Sequence, residues 1–227
     1  MAYTHHFVFG IYPYIALAIF LLGSLIRFDR EQYSWKSEST QVLHRGQLRA
    51  GSIMFHLGII GLFFGHMAGL LTPVAVWDWL GVSHGAKQVF AMAAGGVMGL
   101  LCLAGIVLLL VRRWSNERLR HATTFKDKVV LLWILATLLL GLSSIWVSAS
   151  HLDGHTMVTL MNWAQHIVTF RAGASSFIEG APLLFKLHLF MGMSLFVIFP
   201  FTRLVHVWSG FGALTYLGRA FQLVRSR

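Results

Sequence analysis

The chain has 227 residues, 56% of them hydrophobic and only 11% charged, with a mean hydropathy of +0.68. A soluble domain is nearer about a quarter charged, so an ordinary soluble fold is excluded and an integral membrane protein is indicated. The net charge of +10 would suit nucleic acid in a soluble protein. Here the basic residues fall between apolar runs, where they orient a chain in lipid, and no nucleic-acid partner is expected.

The first apolar stretch, Phe7–Ile26, begins within the N-terminal "MAYTHHFVFG", which has no basic n-region. It reads as a retained first span rather than a cleaved signal peptide. The second, Ala50–Thr72, contains "SIMFHLGIIGLFFGHMAGLL", without a charged side chain but with His56 and His66. The third, Gln88–Val111, carries the single cysteine, Cys102. One cysteine makes neither a disulfide framework nor an iron–sulfur site, and no C-x-x-C-H is present for covalent haem. The fourth is Val129–Ser150. The long connection after it contains "MVTLMNWAQHIVTF", with apolar Met157, Leu160, Met161 and Ala164. That spacing fits a short interfacial helix or an ordinary packed loop. The fifth stretch is Leu183–Trp208. Each is long enough to span a bilayer, and each must be helical because a helix satisfies its own backbone groups in lipid. The expectation is an all-α integral membrane protein, a single domain over residues 1–227 with five transmembrane helices.

Basic residues orient this bundle. Arg27, Arg30, Lys36, Arg45 and Arg49 lie between spans one and two. Arg112, Arg113, Arg118, Arg120, Lys126 and Lys128 lie between spans three and four, and Arg219, Arg225 and Arg227 follow span five. The opposite loops hold only Lys87 and Arg171. The positive-inside rule places the N-terminus outside and the C-terminus in the cytoplasm.

Eight of the twelve histidines sit in loops or near the termini. The other four are His56 and His66 in span two, and His188 and His206 in span five. A lone intramembrane histidine usually makes a helix–helix hydrogen bond. Two in each of two antiparallel helices are a different matter, because packing side by side levels His66 with His188 and His56 with His206. Straight helices would separate the pairs by ~15 Å on span two and ~27 Å on span five. Helix tilt and a kink at Pro200 are expected to absorb part of that mismatch. Zinc wants four ligands, and these two spans contain no Asp, Glu or Cys. Two axial imidazoles on an iron whose other positions are already filled describe b-type haem, so the residues imply two haems b at different depths. Haem propionates need cations, for which Arg112, Arg113 and Arg203 qualify, although snorkelling anchors fit them equally. Gly58, Gly61, Gly65 and Gly69 form one stripe on span two that suits close helix packing, as do Gly95, Gly99 and Gly105 on span three. Lys87, at the boundary of span three, is either an interfacial anchor or a donor to a quinone oxygen.

With "IYPYIA", "FHLGIIGLFFGHMAGLLTP", "FAMAAGG", "KLHLFMGMSLFVIFPFTRLVHVWS" and "YLGRAFQLVRSR" in that order, the chain resembles the gamma, cytochrome b, subunit of respiratory nitrate reductase over essentially its whole length. Gamma-like cytochromes of heterodisulfide and sulfite-linked complexes share the bundle. The resemblance implies a multi-pass protein of the bacterial inner membrane that takes menaquinol or ubiquinol from the lipid phase near the outer face. It implies electron flow through two haems b to an iron–sulfur beta subunit on the cytoplasmic face, and from there to a molybdenum alpha subunit that reduces nitrate. It matches His56 and His206 to the inner haem iron, His66 and His188 to the outer one, and Lys87 and Gly65 to the quinol site. It also places Lys186 where relatives are expected to have arginine. The competing classes are a transporter, against which the absence of intramembrane carboxylates in these spans argues, and a non-redox membrane anchor.

Overall fold

The computed structural model describes residues 2–30 and 45–208. Lys36 and the C-terminal stretch 216–227, with its three arginines, lie outside the described residues. The described residues form helices and short connections, with no strand. Among the described residues five helices are long and apolar enough to cross a membrane. They are α1 (Ala2–Arg30, with a π-helical turn at Phe7–Ile11), α2 (Arg45–Leu71), α4 (His84–Ser115), α6 (Phe125–Ala149) and α8 (Leu183–Ile198, extended by a 3-10 turn to Phe201). Among the described residues, three shorter α-helices lie between them, α3 (Val74–Trp79), α5 (Glu117–Ala122) and α7 (His155–Val168), with a 3-10 turn at Ala174–Ile178.

The spans pack as an arc in the order α1, α8, α6, α4, α2. Small residues make the α2–α4 seam. A Cβ at Gly58 would run into the backbone of Cys102, and one at Gly105 into that of Phe55, so the two helices approach backbone to backbone. Gly61 lies against Met98. Cys102 and Ile106 of α4 meet Val130, Ile134 and Leu138 of α6 in the adjoining core. The ends of the arc do not close on each other. Among the described residues α2 has no extensive packing against α1 or α8. Only 6% of its most apolar window is buried, which leaves a cleft between α2 and α8.

The stretch with two sequence readings is a helix. It is α7, and it plugs one end of the bundle, called here the upper end, instead of lying on the surface. Its Met161, Trp163, Ala164 and Ile167 are buried. The Trp163 indole N–H donates to the Phe9 carbonyl at 2.8 Å, and Gln165 Nε2 donates to the carbonyls of Leu70 and Thr72 at 3.1 and 3.0 Å. The second contact satisfies carbonyls that the end of α2 leaves without an intrahelical partner. Gly154 precedes α7 with φ of +78°, a left-handed conformation, against His84 where a Cβ has no room.

Span five departs from expectation. It is not one helix to Trp208. Regular α-helix ends at Ile198, a 3-10 turn covers Phe199–Phe201, Thr202 is extended (φ −128°, ψ 179°), and a second 3-10 turn covers Arg203–Val205 before His206. Pro200 has no backbone N–H and cannot continue the helical ladder. The break also removes the spacing mismatch. His188 to Ile198 is ten residues, as is His56 to His66. Both helical segments therefore rise about 15 Å, and the irregular segment beyond Ile198 carries His206 across to the level of His56.

Candidate functional site

The cleft between α2 and α8 holds all four histidines in two facing pairs. His66 and His188 have ring centres 6.0 Å apart with planes inclined at 39°. His56 and His206, at the lower end, have ring centres 6.1 Å apart and planes at 78°. The structure brings together the two pairs that antiparallel packing requires.

Each imidazole is oriented by the same device. Nδ1 of His56 lies 2.7 Å from the Ser52 carbonyl, and Nδ1 of His66 lies 2.7 Å from that of Leu62. Nδ1 of His206 lies 2.6 Å from the Arg203 carbonyl, and Nδ1 of His188 lies 3.0 Å from that of Thr137 on α6. A carbonyl only accepts, so each Nδ1 carries the proton and donates it, which makes Nε2 the nitrogen that bears the lone pair. A backbone carbonyl on the non-ligating nitrogen is the usual second contact of a metal-bound histidine.

The His188 ring needs room on α6 as well. A Cβ at Gly141 would come within 2.9 Å of its Cε1. Trp133, Thr137 and Gly141 lie on one stripe of α6, and all three meet α8: Trp133 Nε1 donates to the Met191 carbonyl at 3.0 Å, and the other two frame His188. Neither Thr137 nor Gly141 was legible as a site residue. In "ATLLLGLSS" they read as generic span residues, and only knowledge of the helix partner gives them a role.

The pairs fit one metal ion each, with two protein donors. Two metal–nitrogen bonds of about 2 Å, plus the offset of each nitrogen from its ring centre, add to roughly 6 Å between ring centres. Among the described residues no three or more His, Cys, Asp or Glu converge as a possible metal site. A tetrahedral site built wholly from protein ligands therefore has no donors here, whereas a metal that brings its own equatorial ligands needs only the two imidazoles.

Lys87 sits at the upper end and is buried, only 5% exposed, so it is no surface anchor. Its Nζ donates to the Gly69 carbonyl at 3.0 Å, contacts Met161 Sδ at 2.7 Å and lies 4.6 Å over the Trp77 ring. Gly69 is three residues, about one helical turn, beyond His66. Gly65 and Gly69 face open space: a Cβ at either would meet nothing within 4 Å. The α2 glycine stripe is thus divided, Gly58 and Gly61 serving packing while Gly65 and Gly69 meet no neighbour. Gly95 of α4 likewise has nothing within 4 Å, whereas Gly99 packs on Leu142.

Residues 5–227 match the family described as the nitrate reductase gamma subunit. The chain belongs to this family. The respiratory nitrate reductase 1 gamma chain of Escherichia coli (strain K12) is 47% identical over 228 residues, covering all of both chains. The respiratory nitrate reductase 2 gamma chain of the same strain is 46% identical over 99% of this chain and 98% of its own length. The nitrate reductase gamma chain of Bacillus subtilis (strain 168) is 36% identical over 97% of both.

In this gamma-family chain the remaining basic candidates divide. Arg112 is buried in the last turn of α4. Arg203 is tied to Asp127 of α6 at 3.3 Å, so its guanidinium is already partly committed, while its backbone carbonyl orients His206. Lys186 donates to the Glu179 carbonyl at 2.7 Å. Gln88, beside Lys87, was not singled out from sequence. Its side chain donates to the carbonyls of Ser148 and His151 and accepts from the Gly154 N–H, locking the start of α4 to the α6–α7 connection.

Proposed function

We propose that this chain is the dihaem cytochrome b subunit of a nitrate reductase complex in the bacterial inner membrane. It oxidises quinol at the upper, outer end of the cleft and delivers electrons at the lower, cytoplasmic end to an iron–sulfur subunit. A molybdenum subunit beyond it then reduces nitrate. Membership of the gamma subunit family supports the place in the complex. The observation that carries the redox reading is the pair of facing imidazoles at each level, all four with Nδ1 bonded to a carbonyl.

A haem held by two imidazoles has no open coordination position and supplies reversible one-electron transfer without binding oxygen. The chain's residues do the rest. His66 with His188, and His56 with His206, would hold the two irons at different depths. The carbonyls of Leu62, Thr137, Ser52 and Arg203 retain the Nδ1 protons, fixing each tautomer and raising the basicity of the opposite nitrogen. Buried Lys87 offers N–H donors beside the open flank at Gly65 and Gly69, where a quinol oxygen would be oriented. Arg112 and Arg203 supply positive charge at the lower end for propionates. Quinol protons released at the outer end, with electrons drawn inward, would add to the membrane potential, worth ~2.3 kcal/mol per charge per 100 mV.

An optical redox titration of the purified complex tests this. Two b-type components per gamma chain, both reducible by quinol, are expected. A gamma chain without b-type absorption overturns the reading.

A further inference from the structure

We propose that Arg27 is the positioning residue of the lower histidine pair, holding the broken end of α8 in the one path that brings His206 opposite His56. The proposal rests on the dihaem reading above.

The break leaves carbonyls without helical partners at Pro200 and Thr202, both buried, where unsatisfied groups are costly. Arg27 Nη1 donates to two of them at once, the carbonyls of Pro200 at 2.7 Å and Thr202 at 2.9 Å. One nitrogen therefore bridges both sides of the turn at which the chain leaves the α8 axis. A charged donor makes these bonds stronger than neutral ones. One turn earlier on α1, Gly23 lies directly against the proline ring: a Cβ there would approach Pro200 Cγ to 2.8 Å. Gly23 and Arg27 thus grip the break at two points on one face of α1.

The grip leads to the imidazole by a short route. Thr202, whose carbonyl Arg27 holds, begins the turn Arg203–Val205, and its hydroxyl donates to the Phe199 carbonyl at 3.1 Å. The next carbonyl, that of Arg203, takes the His206 Nδ1 proton at 2.6 Å. From the other side Asp127 holds the Arg203 side chain at 3.3 Å. The segment is pinned from α1 and from α6, and α1 supplies the backbone contacts. A basic residue at a span end ordinarily reads as an orientation signal, but a guanidinium spent on two buried carbonyls does something more specific. Lysine would keep the charge, but its shorter side chain does not carry the ammonium to the position Nη1 occupies between the two carbonyls.

The test compares Arg27→Gln, Arg27→Lys and, as a control at the end of the same helix, Arg30→Gln in the assembled complex. Each is read by haem content and by redox titration of the two components. Arg27→Gln is expected to lose or shift the lower component while the upper one keeps its potential. Arg27→Lys, which preserves the orienting charge, is expected to do the same in part, and it decides the matter if the glutamine variant does not accumulate. Arg30→Gln should leave both components unchanged. Wild-type components in Arg27→Lys, or equal disturbance of both components, overturn the positioning role. A wild-type complex without b-type components overturns the dihaem reading instead, so the two failures are distinct.

Discussion

At the upper pair both imidazoles project from regular helix, and a third helix, α6, supplies the Thr137 carbonyl and the gap at Gly141 that aim His188. At the lower pair His56 stands in mid-helix, whereas His206 opens a new helical stretch. His206 follows two 3-10 turns and an extended residue, and takes its orienting carbonyl from its own turn, at Arg203. The first arrangement gets its precision from packing between helices, the second from hydrogen bonds that cap a break. Substitutions that disturb packing should therefore act on the upper pair, and substitutions that release backbone carbonyls on the lower.

The largest effects test the pairing itself. His206→Ala and His56→Ala should each abolish the lower redox component and leave the upper one reducible by quinol. His188→Ala and His66→Ala should abolish the upper. Redox-resolved spectra of the four variants check this, and loss of the same component in His56 and His188 variants would break the comparison entirely. Lys87→Ala comes next. Both components should remain, but quinol-dependent reduction should slow by at least about tenfold, as expected for loss of a charged hydrogen bond at a substrate. Normal rates across a range of quinol concentrations would remove Lys87 from the site.

The contrast between the pairs also marks where the sequence could be read. Four histidines in apolar spans are conspicuous because a polar ring in hydrocarbon demands a partner, and antiparallel spans leave one way to match them. The spacing conflict between ten and eighteen residues was visible too, and Pro200 marked its place. The direction in which the chain turns after Pro200 was not, because it depends on Arg27 from a span far away in sequence. Gly141, Gln88 and Gln165 were silent for the same reason: each acts on a group, a ring or a backbone, brought near only by folding. The glycine stripe on α2 was half legible. The periodicity that places Gly58 and Gly61 against α4 cannot tell that Gly65 and Gly69 run past the contact into open space.

Gly141→Ala sharpens the upper half of the comparison. The added methyl would sit 2.9 Å from His188 Cε1, so the ring or α6 must shift. Overpacking of this kind costs about 1–3 kcal/mol. The upper component should move in potential or fall in occupancy while the lower one stays, and Gly141→Ser should act in the same direction. An unchanged upper component would show that α6 yields without disturbing the ring.

The smallest effect is expected where packing and capping meet, at Gln165. Its amide nitrogen takes the carbonyls of Leu70 and Thr72, while the bulk of α7 is held independently by Trp163 and the buried core around it. Gln165→Leu keeps the side-chain volume and leaves two carbonyls at the end of α2 without their donor. A net loss of about 1 kcal/mol per hydrogen bond is typical, and part of it is recovered where water reaches the carbonyls. The end of α2 should then exchange amide hydrogens faster from Gly69 to Thr72. His66 lies a turn below, and its Nδ1 bond to Leu62 is internal to α2, so the upper component should be retained. Because the Lys87 ammonium is bonded to the Gly69 carbonyl in that same frayed turn, quinol oxidation should weaken slightly, by less than in Lys87→Ala. Loss of the upper haem in Gln165→Leu would mean that this pair, like the lower one, depends on a capped helix end and not on packing alone.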